Sequence, residues 1–175
     1  MGHSTRPLAA FLAVLTPYGI ETVADVRRFP GSRAHPQFQQ AALENSLRGA
    51  GIDYLALPAL GGRRRPVSAA AGSAWRNEAF RGYADHLESE EFAGGLFELL
   101  MVARGLRTAV MCAEALWWRC HRRMIADVLV SIGGEVVHIL DAKASQPHRL
   151  AAPARMVRGI LTYAPAGPMA NPAIA

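Results

Sequence analysis

The sequence predicts a small single-domain α/β sandwich, a mostly parallel sheet covered by helices on both faces, and three observations carry that expectation. Short apolar runs with β-branched residues alternate along the chain with segments of helical periodicity. The connections between runs are long enough for crossovers, which parallel strands require. At 175 residues, 51% hydrophobic and 19% charged, the chain buries one core but not two, which excludes disorder, collagen and a coiled coil.

From Thr5, the residues Leu8, Phe11, Leu12 and Leu15 recur at spacings of three and four, with Ser4 or Thr5 as N-cap and Pro7 in the first turn. This predicts a helix stopping near Pro17-Tyr18-Gly19. Ile20 to Val26 then reads as a strand, residues 28–36 as a loop, and about Phe38 to Arg48 as a helix closed by Gly49 and Gly51. Ile52 to Leu57 is a second strand, leading into a long loop that contains Gly61-Gly62-Arg63-Arg64-Arg65-Pro66 and small residues up to Ser73. Helical periodicity resumes near Phe80 and reaches Ala103, with a break expected at Gly94-Gly95. Leu106 to Cys112 is the clearest buried strand, Trp117 to Val130 an amphipathic helix ending at Gly133-Gly134, and Glu135 to Leu140 a further strand. Residues 1–150 thus form one α/β domain and 151–175 an Ala/Pro-rich C-terminal tail.

Lys+Arg 19 against Asp+Glu 14 gives a formal charge of +5, and every basic residue but Lys143 is arginine. The arginine fork suits phosphate and carboxylate, so a small anionic ligand is the expected partner and nucleic acid stays open as another. No run approaches the roughly 18 apolar residues of a membrane span, and the N-terminus lacks a signal peptide's apolar core. The expectation is a cytoplasmic protein with no membrane partner and two reduced thiols. Oligomeric state is not legible.

In parallel sheets ligands bind beyond the carboxyl ends of the strands. There the chain places Asp25 and Arg27, then Gly61 to Arg65, then Cys112 and Glu114, and then Asp141. The segment Cys112-Ala113-Glu114 followed by Cys120-His121-Arg122 is the most informative. A thiol facing a helix N-terminus and several arginines is stabilised as the reactive thiolate, whereas a free cysteine without such a setting is a small buried hydrophobe. A phosphatase loop does not fit, because Glu114 stands where the anion would sit. A standard zinc knuckle does not fit either, but Cys112, Cys120 and His121 stay candidate ligands for a metal or a haem, with His3 or His138 as a distant supplement. Gly2-His3-Ser4-Thr5-Arg6 precedes a helix, where backbone N–H groups would hold an anion or simply cap the helix.

Together Gly2-His3-Ser4-Thr5-Arg6, Asp25-Val26-Arg27 with Pro30, Ser32-Arg33 and Pro36-Gln37-Phe38, Leu60-Gly61-Gly62, Tyr83-Ala84, and Cys112-x-Glu114 with Cys120-His121-Arg122 resemble the bacterial family called domain of unknown function 488. The resemblance runs from about residue 1 to His138. It implies a small α/β sandwich with a mostly parallel sheet and no particular activity. In that family several apolar residues that would form a first strand usually precede the Gly-His-Ser block. Here the block opens the sequence, so either the start is misplaced or the first strand is a stub.

The functional expectation is an enzyme or ligand-binding protein for a small phosphate-bearing or nucleotide-like molecule. Cys112 would be its nucleophile or redox thiol, Glu114 or Asp25 its acid or base, and His121 would tune the thiolate. His3, Ser4, Arg6, Arg27, Gly61, Gly62, Arg63 and Arg122 would hold the ligand. A metal- or haem-binding protein and a DNA- or RNA-binding accessory protein are the alternatives.

Overall fold

The structure, a computed structural model, describes residues 1–31, 33–67 and 73–165. Three short strands, β1 (Thr22–Asp25), β2 (Asp53–Ala56) and β3 (Thr108–Met111), form a parallel sheet in the order β2-β1-β3. All of β1 is buried, as befits a central parallel strand, whose sequence reads as an unbroken run rather than an alternation.

Helices connect and pack against the strands: α1 (Leu8–Leu15), α2 (Gln40–Gly49), α3 (Glu78–His86), α4 (Glu90–Ala103) and α5 (Arg122–Ser131). Successive strand residues point to opposite sides, and the core divides accordingly. Val23, Ala109 and Met111 join Phe11 and Leu15 of α1 and Leu43 and Leu47 of α2 in one cluster. Ala24, Val26 and Cys112 join Tyr83, Phe92 and Leu99 of α3 and α4 and Met124 and Ile125 of α5 in another.

Several boundaries differ from the sequence expectation for identifiable reasons. The residue before α1 is Pro7, and neither Ser4 nor Thr5 caps the helix. Ser4 is drawn away because its N–H donates to the Ala113 carbonyl at 3.0 Å. The interruption between α3 and α4 lies at residues 87–89 and not at Gly94-Gly95. Ser89 accepts from the Phe92 N–H, with Glu90 and Glu91 in the first turn, which is a helix start. Gly95 is a packing residue instead, since a Cβ there would lie 2.9 Å from the Ala59 Cβ.

The predicted helix from Trp117 is also broken. Trp117–Arg119 is a 3₁₀ turn, Cys120 is extended (φ −120°, ψ 149°), and α5 starts only at Arg122. The predicted strand at 135–140 shortens to β4 (Val137–Ile139), which pairs antiparallel with β5 (Ser145–Pro147) apart from the main sheet. Residues expected only as a tail include a hairpin of β6 (Arg155–Val157) and β7 (Ile160–Thr162), flanked by the buried Ala154 and Tyr163. Ser32 and the chain beyond residue 165 lie outside the described residues.

At the N-terminus a stub runs parallel to the end of β3. The Met1 amine donates to the Val110 carbonyl at 2.7 Å, and the His3 N–H to the Cys112 carbonyl at 3.0 Å. Among the described residues no helix is long and apolar enough to cross a membrane.

Candidate functional site

The carboxyl ends of β1 and β3 bring two polar clusters together, one around Asp25 and one around Cys120. In the first, the buried Asp25 carboxylate accepts from Arg27 Nε at 2.8 and 3.0 Å, from its Nη2 at 2.5 Å and from its backbone N–H at 3.0 Å. It also accepts from the Tyr54 hydroxyl at 2.8 Å. Arg27 Nη1 donates to the Phe38 carbonyl at 2.7 Å and lies 3.3 Å from His3 Nε2.

His3 stacks on Phe38 at 4.0 Å and donates from Nδ1 to the Ser4 carbonyl at 2.8 Å, so its Nε2 is the acceptor facing Arg27. Burial holds its pKa down at about 4, so the ring is neutral above that pH. This cluster is closed: Arg27 and Asp25 satisfy each other, and their geometry is that of a brace between β1, β2 and the N-terminal stub.

The residues expected to cradle an anion at the N-terminus are likewise engaged. The N–H groups of His3, Ser4 and Arg6 donate to carbonyls of Cys112, Ala113 and His3. Arg6 donates from Nη1 to the Gly2 carbonyl and from Nη2 to the Leu140 carbonyl at 2.7 Å.

The second cluster holds both thiols, and both are buried. Because the chain is extended at Cys120, its sulfur meets Cys112 at the end of β3. Arg122 Nε donates to Cys120 Sγ at 3.3 Å, and Arg122 Nη2 donates to the Glu114 carbonyl. His121 Nδ1 lies 3.5 Å from Cys120 Sγ, while its Nε2 donates to the Val26 carbonyl at 3.2 Å. That second bond places the ring's lone pair at Nδ1, toward the sulfurs. The Cys112 thiol shares its proton with Cys120. This hydrogen bond, with the charge of Arg122 beside it, pulls the Cys120 pKa down, and the same bond with burial pushes Cys112 up. The sequence reading gave Cys112 the leading role, whereas the donors converge on Cys120.

Gly61 and Gly62 are both buried, Gly61 against Arg28 and Gly62 against the His121 ring of this cluster. A Cβ at Gly62 would sit 2.6 Å from His121 Nδ1, so only glycine lets the ring occupy its place. Gly62→Ala is therefore expected to displace His121 and lower the melting temperature by several degrees. Unshifted His121 imidazole resonances in the variant would contradict this. Arg63 follows at φ +59°, a left-handed conformation uncommon for a non-glycine residue, with its side chain exposed. Arg64 instead pairs with Glu91 at 2.6 Å. The Glu114 carboxylate is exposed and accepts from the Leu116 N–H at 3.2 Å, bracing the turn toward Cys120.

Tyr83 and His138, with the His148, Asp127 and Tyr163 that the sequence did not single out, complete the surroundings. Tyr83 packs against His121 at 5.1 Å and donates to the Leu60 carbonyl at 2.7 Å. Behind the site runs a buried polar chain: His138 Nε2 to His148 Nδ1 at 2.8 Å, His148 Nε2 to Asp127 at 2.8 Å, and Tyr163 to Asp127 at 2.7 Å. His138 stacks face to face on Trp117 at 3.8 Å. The pairing of His138 with His148 depends on the β4–β5 register, which no local pattern reveals. A groove of about 770 Å³ along the outer edge of β3 is lined by Met1, Val110, Arg122, Ile125 and His138 among others, but by neither cysteine.

A family profile described as Domain of unknown function DUF488 matches residues 7–129. No curated protein and no solved structure matches the chain.

Proposed function

The chain belongs to the DUF488 family, and from that premise, which settles kinship but no chemistry, we propose a thiol-dependent enzyme or ligand-binding protein for a small anionic molecule. Its working group is the Cys120 thiolate. The observation that carries this is the convergence of two donors, Arg122 Nε at 3.3 Å and the Cys112 thiol, on one sulfur, with the His121 Nδ1 acceptor 3.5 Å away. A buried sulfur surrounded by donors is stabilised as the anion, the form that attacks carbon.

In this reading His121 is the proton acceptor beside the thiolate, oriented by the Val26 carbonyl, and Cys112 is the proton-sharing partner. Glu114, exposed next to the turn, is the acid or base that reaches solvent. Arg63, exposed and next in the chain to the Gly62 that packs on His121, supplies the charge that recognises the ligand's anionic group. Asp25 and Arg27 act as the brace that fixes the N-terminal block. The same proposal takes the sheet as the middle layer of a sandwich with helices on both faces, supported by the two clusters its alternating side chains feed.

The test compares two electrophiles of nearly equal size, anionic iodoacetate and neutral iodoacetamide, with the modified residue located by peptide mapping. At neutral pH Cys120 is expected to be the modified residue and iodoacetate the faster reagent. Arg63→Ala is expected to abolish that preference while leaving the iodoacetamide rate in place. Equal rates in the unmodified sequence, or modification confined to Cys112, would refute the reading.

A further inference from the structure

We infer that Cys112 Sγ, Cys120 Sγ and His121 Nδ1 form a three-coordinate site for a soft monovalent metal ion, copper(I). This goes beyond the reading above: it uses the same sulfurs but requires no reacting substrate.

The geometry comes first. The three ligand atoms all lie within 4.8 Å of one another. A thiophilic ion holds sulfur at about 2.3 Å and imidazole nitrogen at about 2.0 Å, which at trigonal or tetrahedral angles separates the two by about 3.5–3.7 Å. The Cys120 Sγ to His121 Nδ1 separation is 3.5 Å, so this pair is already spaced for a shared ion.

A second observation is the outer partner of the imidazole. Metal-bound histidines generally donate their other ring N–H to a carbonyl or carboxylate, which fixes the tautomer and the ring plane. His121 donates Nε2–H to the Val26 carbonyl at 3.2 Å, leaving Nδ1 as the atom facing the sulfurs. The buried Gly62 packs against that ring where any side chain would displace it.

Charge selects the ion. Two thiolates and one imidazole are a soft donor set, suited to copper(I) or zinc. Arg122, buried and donating to Cys120 Sγ, adds one fixed positive charge beside the sulfurs. With a monovalent ion the two thiolates, the ion and Arg122 sum to zero. A divalent ion would leave one uncompensated positive charge in a buried setting, which is costly. The Cys112 proton leaves to solvent as the site loads, and both sulfurs bind as thiolates.

The test is anaerobic titration of the full chain with copper(I) buffered by the chromogenic chelator bicinchoninate, with zinc as competitor. One copper(I) per chain is expected, with sulfur-to-copper charge-transfer absorption, and a tenfold excess of zinc should not displace it. Loading should also stop the reaction of Cys120 with iodoacetate. Cys112→Ser and His121→Leu, each checked for folding by circular dichroism, should weaken binding by about a hundredfold or more, beyond what changes to outer partners alone cause. X-ray absorption of the loaded unmodified chain should show two sulfurs and one nitrogen, which keeps the test decisive if a variant fails to fold.

The two readings fail separately. No copper binding in a chain whose Cys120 still reacts with iodoacetate would overturn the metal site alone. Copper held by both sulfurs in a chain with no selective Cys120 reaction would overturn the reactive-thiolate reading alone. Stoichiometric zinc that copper(I) does not replace, or copper binding unchanged by Cys112→Ser, would overturn the site as described.

Discussion

Asp25→Ala is expected to destabilise the chain by about 3–5 kcal/mol, a large fraction of the stability of a domain this size. The carboxylate is 1% exposed and takes every contact described above from Arg27 and Tyr54. Its removal leaves a buried guanidinium facing, among the described residues, the Phe38 carbonyl and His3. Taking one partner from a buried pair costs more than the pair contributes, because the remaining charge stays in a poor solvent. The double variant Asp25→Ala with Arg27→Met is therefore expected to recover part of the loss. Urea unfolding of both variants checks this. A loss below about 1 kcal/mol for the single variant, or strict additivity in the double, would show that Asp25 and Arg27 are not coupled as a buried brace.

That brace shows where sequence reading stops. The strands at 22–25, 53–56 and 108–111 were legible as short apolar runs between helical segments, although only the central β1 is buried throughout and the edge strands β2 and β3 are buried in part. The sequence pointed to the strand ends, and Cys112, Glu114, Cys120, His121 and Arg122 do meet there. What could not be read was how each charge is used. Arg27 and Arg122 look alike in sequence, yet one is closed onto Asp25 and the other donates to a sulfur. Tyr54, which ties β2 to Asp25, appeared only as an apolar strand residue, because partners across a parallel sheet are far apart in the chain. The glycines misled at Gly95 because its role is close approach to Ala59, while the Ser89-Glu90-Glu91 helix start was the better local signal. That Arg122 donates to Cys120 and not to Cys112 depends on the extended conformation at Cys120, which interrupts a segment whose periodicity reads as one helix.

Stability is expected to fall as pH drops below about 6.5, well above the range in which carboxylates titrate. Burial, as the leading cause, holds His3 at about 4 and His138 at about 3, and shifts His86 in the same direction. A histidine whose folded pKa is depressed contributes its full stability above its unfolded value. Below that value the unfolded chain takes up protons that the native ring refuses, and stability is lost until the folded pKa is reached. Each ring costs up to about 1.4 kcal/mol per pH unit over its window, from 6.5 to about 4 for His3 and to about 3 for His138. Urea midpoints measured between pH 8 and pH 4 should therefore decline from just below pH 6.5, while the His3 and His138 ring resonances stay unprotonated to about pH 4. A flat profile down to pH 5 would mean that these rings charge normally in the folded chain.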